Sequence, residues 1–255
     1  MEIGADTLFL AGMAFLAGLI DSVVGGGGLI QIPALFTLLP EAPPASIFGT
    51  NKFASILGTA SAAWRYARRI EVPWRAALPA AIAALPFSYL GAMAVSVLSR
   101  EVLRPMILAL LIVVALYTFL RRDFGSVDAQ RPMGRRETWL AVFFGALLGF
   151  YDGFFGPGAG SFMIFVFVRF FGVDFLHASS AAKVVNVATN LSALVYFAGH
   201  GQVLWALAIM MSACNIVGAQ CGSHLALRHG NAFVRRIFLA LATVLITKFG
   251  YDTLR

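Results

Sequence analysis

The sequence predicts an all-α integral membrane protein with about eight long transmembrane helices plus two short half-helix or re-entrant segments. They form two inverted-topology repeats offset by 131 residues. Three observations predict this. The 255 residues are 60% hydrophobic and 12% charged, with mean hydropathy +0.83, whereas soluble chains are roughly half apolar and a quarter charged. The apolar residues fall into runs near the length of about 20 residues that a hydrocarbon core about 30 Å thick demands. The chain also repeats itself. Advancing by 131 carries Gly18 to Gly149, Asp21 to Asp152, Gly25 to Gly156, Gly27 to Gly158, Lys52 to Lys183, Ser61 to Ser192, Trp74 to Trp205, Gly91 to Gly222 and Arg104 to Arg235 without a gap. So long a period marks two related halves and not a short-repeat solenoid.

In chain order, the first half (residues 1–120) gives segments near 5–22, 29–39, 46–64, 75–98 and 102–120. A basic cytoplasmic connector follows at 121–136. The second half (137–255) gives about 137–152, 159–171, 177–198, 203–227 and 233–250. The second segment of each half covers under about 20 Å at 1.5 Å per residue, so it is a half-helix, a re-entrant segment or part of a broken span. The start, Met1-Glu2-Ile3-Gly4-Ala5-Asp6, lacks a basic leader region, and a retained first span is expected.

Basic residues in short loops set the orientation. Arg65, Arg68, Arg69 and Arg75 form one cluster, Arg121, Arg122, Arg131, Arg135 and Arg136 a second, Arg228, Arg235 and Arg236 a third. All three are expected in the cytoplasm. The repeat mate of the first loop, Gly199-His200-Gly201-Gln202, has no Lys or Arg, which favours inverted halves with both termini outside the cytoplasm. The net charge of +7 is thus spent on membrane loops, and no basic-aromatic module points to nucleic acid. Cys214 and Cys221 lie seven apart on one expected helix, about 10 Å between Cα atoms, beyond disulfide reach, and read as packing residues.

The chemistry concentrates at two glycine-rich stretches. Asp21-Ser22-Val23-Val24-Gly25-Gly26-Gly27-Gly28 opens the first short segment, and Asp152-Gly153-Phe154-Phe155-Gly156-Pro157-Gly158-Ala159-Gly160-Ser161 opens the second. Amides at a helix start are unpaired and sit at the positive end of the macrodipole, so main chain alone can hold an anion where glycine lets it approach. Duplicated transporters place such interrupted segments near the bilayer midplane. A hinge or helix contact is the bland alternative, and Gly145, Gly149 and Gly153, with Gly218 and Gly222, read that way. The chain has three lysines, and two of them, Lys52 and Lys183, are repeat mates inside apolar segments. An intramembrane lysine costs about 2.5–3.5 kcal/mol and rarely faces lipid. The pair therefore points to an anion, or to structural ion pairs with Asp21 and Asp152. Those carboxylates balance charge, carry a coupled proton, or cap helix starts. Around the lysines lie Thr50, Asn51, Ser55 and Thr59, and Ser179, Ser180, Asn186 and Asn190, as donors to an anion or as interhelical glue. The sequon at Asn190 is expected to be buried.

No phosphate-binding Gly-x-x-x-x-Gly-Lys-Ser/Thr, no metal-ligand spacing among His177, His200, His224 and His229, and no nucleophile elbow is present. No cofactor, metal or catalytic residue is expected.

The run from Gly18 through Ile30, then Ile32-Pro33-Ala34-Leu35 and Gly49-Thr50-Asn51-Lys52, resembles the sulfite exporter TauE/SafE family, also called the toluene sulfonate uptake permease family. The run from Gly149 to Ser161, followed by Ala182-Lys183 and Asn186, is similar to that family's second signature, and the general inner-membrane permease branch looks nearest. Cys214, Gln220 and Cys221 depart from the small residues expected there. The resemblance implies a secondary transporter, in the outward direction, of small sulfur-containing anions such as sulfite or organosulfonates across the bacterial cytoplasmic membrane. The expected substrate site comprises Gly25, Gly26, Gly27, Gly28, Asn51, Lys52, Gly156, Gly158, Gly160, Ser161, Lys183 and Asn186, with Asp21 and Asp152 for coupling or charge balance. Partners are then the anion, the lipid bilayer and a coupling proton or sodium, with a homodimer left open. A passive anion channel is the nearest alternative, and a membrane enzyme or structural subunit a more distant one.

Overall fold

The computed structural model describes residues 4–99, 101–102 and 134–253. Almost all of the expected segment 102–120 and of the connector 121–136 lies outside the described residues. These residues include eight helices and no strand: α1 (Ala5–Val24), α2 (Gly28–Leu38), α3 (Pro44–Ala67), α4 (Trp74–Ser96), α5 (Arg135–Phe154), α6 (Ala159–Phe171), α7 (Phe175–Gly199) and α8 (Trp205–Thr253). The two expected segments 203–227 and 233–250 are two helices that meet at a kink at Gly230 (φ 68°, ψ −160°), labelled together here as α8.

Among the described residues, four stretches are long and apolar enough to cross a membrane: Asp6–Val24, Trp74–Ser96, Phe175–Gly199 and Trp205–Val234. The helices α3 and α5 have the length, at 24 and 20 residues. Their apolarity is diluted by Asn51, Lys52 and Arg65 in α3, and by Arg135, Arg136, Glu137 and Asp152 in α5. Leu8, Leu78, Ile82, Trp139, Phe143 and Ile209 are exposed, the outward apolar surface that lipid requires of a bundle.

Local signals fix the ends. Pro43 and Pro44 start α3, where a proline's missing N–H costs nothing. Asp174 caps α7 by accepting the His177 amide at 2.9 Å, and the Leu176 amide goes to Asn231 Oδ1 at 2.8 Å, just past the Gly230 break. Burial alone would raise the Asp174 carboxyl. Hydrogen bonds from the His177 side chain and amide and from Asn231 outweigh it and hold the group below the usual carboxylate range.

Each short helix folds back along the long helix before it. In the first half Gly27 lies against Ala17, and Ala34 and Leu35 join Leu10 and Ala14 in one buried cluster. In the second, Phe162 packs on Tyr151 at 5.6 Å and Phe170 on Phe144 at 4.7 Å. The short elements are therefore second arms of hairpins, returning toward the side from which the long helix came.

The halves interlock by exchange. Helix α1 packs along α8, and α4 along α5, at backbone contact: a Cβ on Gly222 would stand 2.3 Å from the Leu19 carbonyl oxygen, and one on its mate Gly91 2.2 Å from that of Phe150. Close approach of this kind is how membrane helices gain packing energy where lipid removes the hydrophobic drive. Gly145, Gly149 and Gly153 meet Ala80, Ala84 and Ser88 in the same way. The repeat mates α3 and α7 run antiparallel. Gly49, near the start of α3, abuts Gln202 just past the end of α7. Tyr66, near the end of α3, and Ser179, near the start of α7, hydrogen-bond the adjacent carbonyls of Ser22 and Val23, each at 2.9 Å. Both cysteines are free; Cys221 is exposed, so its reading as a packing residue is corrected, while Cys214 leans on the cluster around Leu10.

Candidate functional site

The two glycine-rich joints bring the short helices start to start. Gly25 ends α1 in the left-handed region (φ 75°), its amide bonded to the Asp21 carbonyl at 2.8 Å. Its backbone presses on that of Gly160, and a Cβ on Gly25 would sit 2.4 Å from the Gly160 carbonyl carbon. Across the same contact, a Cβ on Gly28 would lie 3.2 Å from Pro157 Cα. Gly28 and Gly160 are in the first turns of α2 and α6, and their amides donate to no group among the described residues. Each start carries about half a positive charge from its macrodipole.

Beside this contact lies a polar cavity of about 30 Å³, enough for about two water molecules. Asp21, Gly25, Gly28, Asn51, Lys52, Asp152, Gly156, Gly160 and Asn186 line it, together with Ser55, Thr59 and Asn190. The last three were legible in the sequence only as polar stripes near the lysines. Lys52 and Lys183 each stand about two turns into their helices.

Five expected site residues do not line the cavity. The Gly27 amide turns back on Asp21 Oδ1 at 3.4 Å, and the Gly26 carbonyl accepts the Leu29 amide at 3.1 Å. Gly158, at φ 78°, sets the entry to α6. Ser161 donates its hydroxyl to the Val24 carbonyl at 2.7 Å, tying α6 to the end of α1. Lys183 is fully buried behind the cavity wall. Thr50, Ser179 and Ser180 also take the bland role, donating to the carbonyls of Ser46, Val23 and His177.

The charges of Lys52, Lys183, Asp21 and Asp152 pair crosswise between halves. Lys52 Nζ donates to Asp152 Oδ1 at 2.9 Å and to Asn190 Oδ1 at 3.1 Å, and the Thr189 hydroxyl donates to the other Asp152 oxygen. Its repeat mate Lys183 donates to Asp21 Oδ2 at 3.1 Å, an oxygen that also accepts from Thr59 at 3.2 Å. Each pair neutralises what would otherwise be a costly isolated charge. Lys52 has spent two of its three donors on this. The Oδ1 atoms of Asn51 and Asn186 are buried without a hydrogen-bond partner among the described residues. The cavity wall thus offers a cation, two helix starts and two unpaired amide oxygens that can only accept.

Broken helices meeting start to start at a charged cavity, inside a bundle with an apolar exterior, define a multi-pass membrane transporter. The chain belongs to the sulfite exporter TauE/SafE family, whose profile matches residues 10–249. It is 37% identical over 244 residues to the "Probable membrane transporter protein ORF9" of a Sinorhizobium species, covering 96% of this chain and 92% of that protein. It is 36% identical over 241 residues to the "Probable membrane transporter protein YfcA" of Escherichia coli K12, covering 94% and 88%. A "Probable membrane transporter protein" of Haemophilus influenzae is 34% identical over 253 residues, covering 99% and 98%. No solved structure matches the chain. Family and spans together make it a multi-pass protein of the inner membrane.

Proposed function

We propose that this transporter carries small sulfur-containing anions, such as sulfite or an organosulfonate, out of the cell, and that the cavity between the two short-helix starts is its substrate site. One observation carries the reading: the unpaired amides of Gly28 and Gly160 and the Lys52 ammonium converge on one buried polar space. Such donors suit the oxygens of a compact oxyanion. The family's description supplies sulfite and the outward direction. Inverted halves are supported by the antiparallel run of the mates α3 and α7, together with the arginine-free loop after α7.

The cavity as it stands is smaller than such an anion with any hydration, so loading needs the two halves to part or the ion pairs to open. The test is counterflow: purified protein in liposomes preloaded with unlabelled sulfite, with entry of radiolabelled sulfite measured. Saturable entry stimulated by trapped sulfite is expected, and Lys52→Met abolishes it. Entry at the same rate with empty vesicles and no saturation would instead identify a passive channel. No entry of sulfite or organosulfonate removes the substrate reading.

A further inference from the structure

We infer that Asp21 is the proton-carrying carboxylate of this site, so that a monoanion crosses together with one proton and transport is electroneutral. The inference rests on the anion reading above and adds to it the coupling ion and the residue that bears it.

The argument starts from charge. Lys52 and Lys183 against Asp21 and Asp152 sum to zero, and each charge already has a partner. An anion entering this space adds negative charge to a neutral, water-poor site; the two helix starts stabilise it as dipoles but bring no net charge to balance it. Protonating one carboxylate restores the balance and frees a lysine to face the anion. For a monoanion this takes one proton: two ammonium groups then stand against one carboxylate and the anion.

The two carboxylates are not equivalent, although they are repeat mates. Asp152 is clamped, with its side chain 7% exposed, Lys52 at 2.9 Å on one oxygen and the Thr189 hydroxyl on the other. Asp21 is held more loosely, with its side chain 18% exposed, Lys183 and Thr59 at 3.1 and 3.2 Å on one oxygen, and only the Gly27 amide at 3.4 Å on the other. The difference traces to sequence: Thr189 has Gly58 as its repeat mate, so Asp21 has no corresponding hydroxyl. Of the two, Asp21 therefore loses least on accepting a proton and lies where one can arrive. The groups facing it are Lys183 from α7; Thr59, Tyr66 and, across the cavity, Lys52 from α3; Asp152 from α5; and the Gly27 amide from α2. Among the described residues, neither α6 nor α8 places a titratable side chain on the cavity that Asp21 lines. Lys183 is the one full charge bonded to it, and once Asp21 is neutral that ammonium turns from an internal partner into the counter-charge of the cargo.

The full chain in proteoliposomes tests this with two probes, radiolabelled sulfite and radiolabelled methanesulfonate, the second keeping one charge across the neutral range. Coupling is read on whichever undergoes counterflow. The coupling is symport, so net export requires an outward anion gradient steeper than the pH gradient. In the wild type, a gradient of one pH unit, acid outside, should accumulate a monoanion about tenfold inside the vesicles, the ratio of proton activities. An imposed potassium diffusion potential should leave accumulation unchanged. Asp21→Asn should lose the pH-driven accumulation while counterflow continues at a measurable rate, Asp21→Glu should restore it, and Asp152→Asn should not reproduce the uncoupling. Counterflow driven by the electrical potential and indifferent to the pH gradient overturns the inference and leaves the anion reading standing; this needs no variant to fold. Uncoupling by Asp152→Asn in place of Asp21→Asn overturns the assignment to Asp21. Absence of counterflow for both probes defeats the anion reading and this inference with it.

Discussion

Replacing Lys52 by methionine removes the ammonium that Asp152 pairs with and leaves that carboxylate 5% exposed, with the Thr189 hydroxyl as its remaining side-chain donor. Breaking a buried pair from one side costs about 3–5 kcal/mol. A second route gives the same size. The stranded Asp152 can escape by taking a proton, and protonating an ordinary aspartate at pH 7 costs about 4 kcal/mol, three pH units at 1.36 kcal/mol each. The single variant should thus lose about 4 kcal/mol, or roughly 10 °C of melting temperature for a chain of this size. Asp152→Leu strands Lys52 and should cost a similar amount. Combining the two removes both charges, while Thr189 keeps its bond to the Asn186 carbonyl at 3.1 Å, so the double variant should lose less than either single variant, which puts it below the summed losses by more than about 4 kcal/mol. Intrinsic tryptophan fluorescence during thermal unfolding in detergent reads all three. The crossed pairing makes the sharper demand: Asp152→Leu rescues Lys52→Met, and Asp21→Leu does not. Rescue by Asp21→Leu, or additive losses in the Lys52–Asp152 pair, would refute the pairing on which the site rests.

The remaining predictions use other parts of the molecule. On α1, Gly12→Ala should raise stability by about 0.5–1 kcal/mol, since a Cβ there meets nothing within 4 Å and alanine is the better helix former. Gly18→Ala on the same helix should lower it, because its Cβ would stand 2.1 Å from the Asn215 carbonyl oxygen; melting temperatures of the two variants moving the same way would count against the α1–α8 packing. Gly25→Ala should abolish counterflow, since it forces an alanine into φ 75° and onto the Gly160 backbone; full counterflow would separate that joint from function. At the α7 cap, the Asp174 carboxyl is depressed in the folded state, so its contribution is complete above the ordinary aspartate range, near pH 4, and is lost as pH falls through the lower folded value. Asp174→Asn should therefore be less sensitive to acid than the wild type in that window, and Asp174→Ala should cost about 1 kcal/mol at neutral pH as a lost cap; melting curves run across the acid range check both.

Much of the fold was legible because it is written in local chemistry. Glycines and prolines punctuate the short segments, so 29–39 and 159–171 fall within a residue of α2 and α6 as observed. The break between 203–227 and 233–250 was legible too: Gly230, flanked by three arginines, leaves the helical region there, although the two helices abut without a longer loop. The site was legible in composition and not in wiring. Nothing in the spacing distinguishes Lys52 pairing with Asp21 in its own half from pairing with Asp152 in the other; only the packing of α1 on α8 and of α4 on α5 selects the second. Lys183 likewise shares every sequence feature of Lys52. Lys183, Asn186 and Asn190 share one face of α7, at i, i+3 and i+7, and only the two asparagines line the cavity, because Lys183 is bonded to the wall residue Asp21.

The four charges also separate what the fold needs from what transport needs. On insertion scales each intramembrane charge costs about 2.5–3.5 kcal/mol, so four cost on the order of 10–14, as much as the whole stability of an ordinary domain. Crossed pairing returns part of that and no more, since buried ion pairs commonly do no better than aliphatic side chains of the same volume. A chain selected only to pack would carry methionine and leucine at Lys52 and Asp152. The double variant Lys52→Met/Asp152→Leu therefore decides the matter in one molecule. It should fold with stability nearer the wild type than either single variant, and it should show no saturable counterflow of sulfite, because the cation on the cavity wall is gone. Recovery of stability without recovery of counterflow assigns the pair to transport. Recovery of both would mean that Lys52 and Asp152 serve only to hold α3 against α5, and that the anion is held elsewhere.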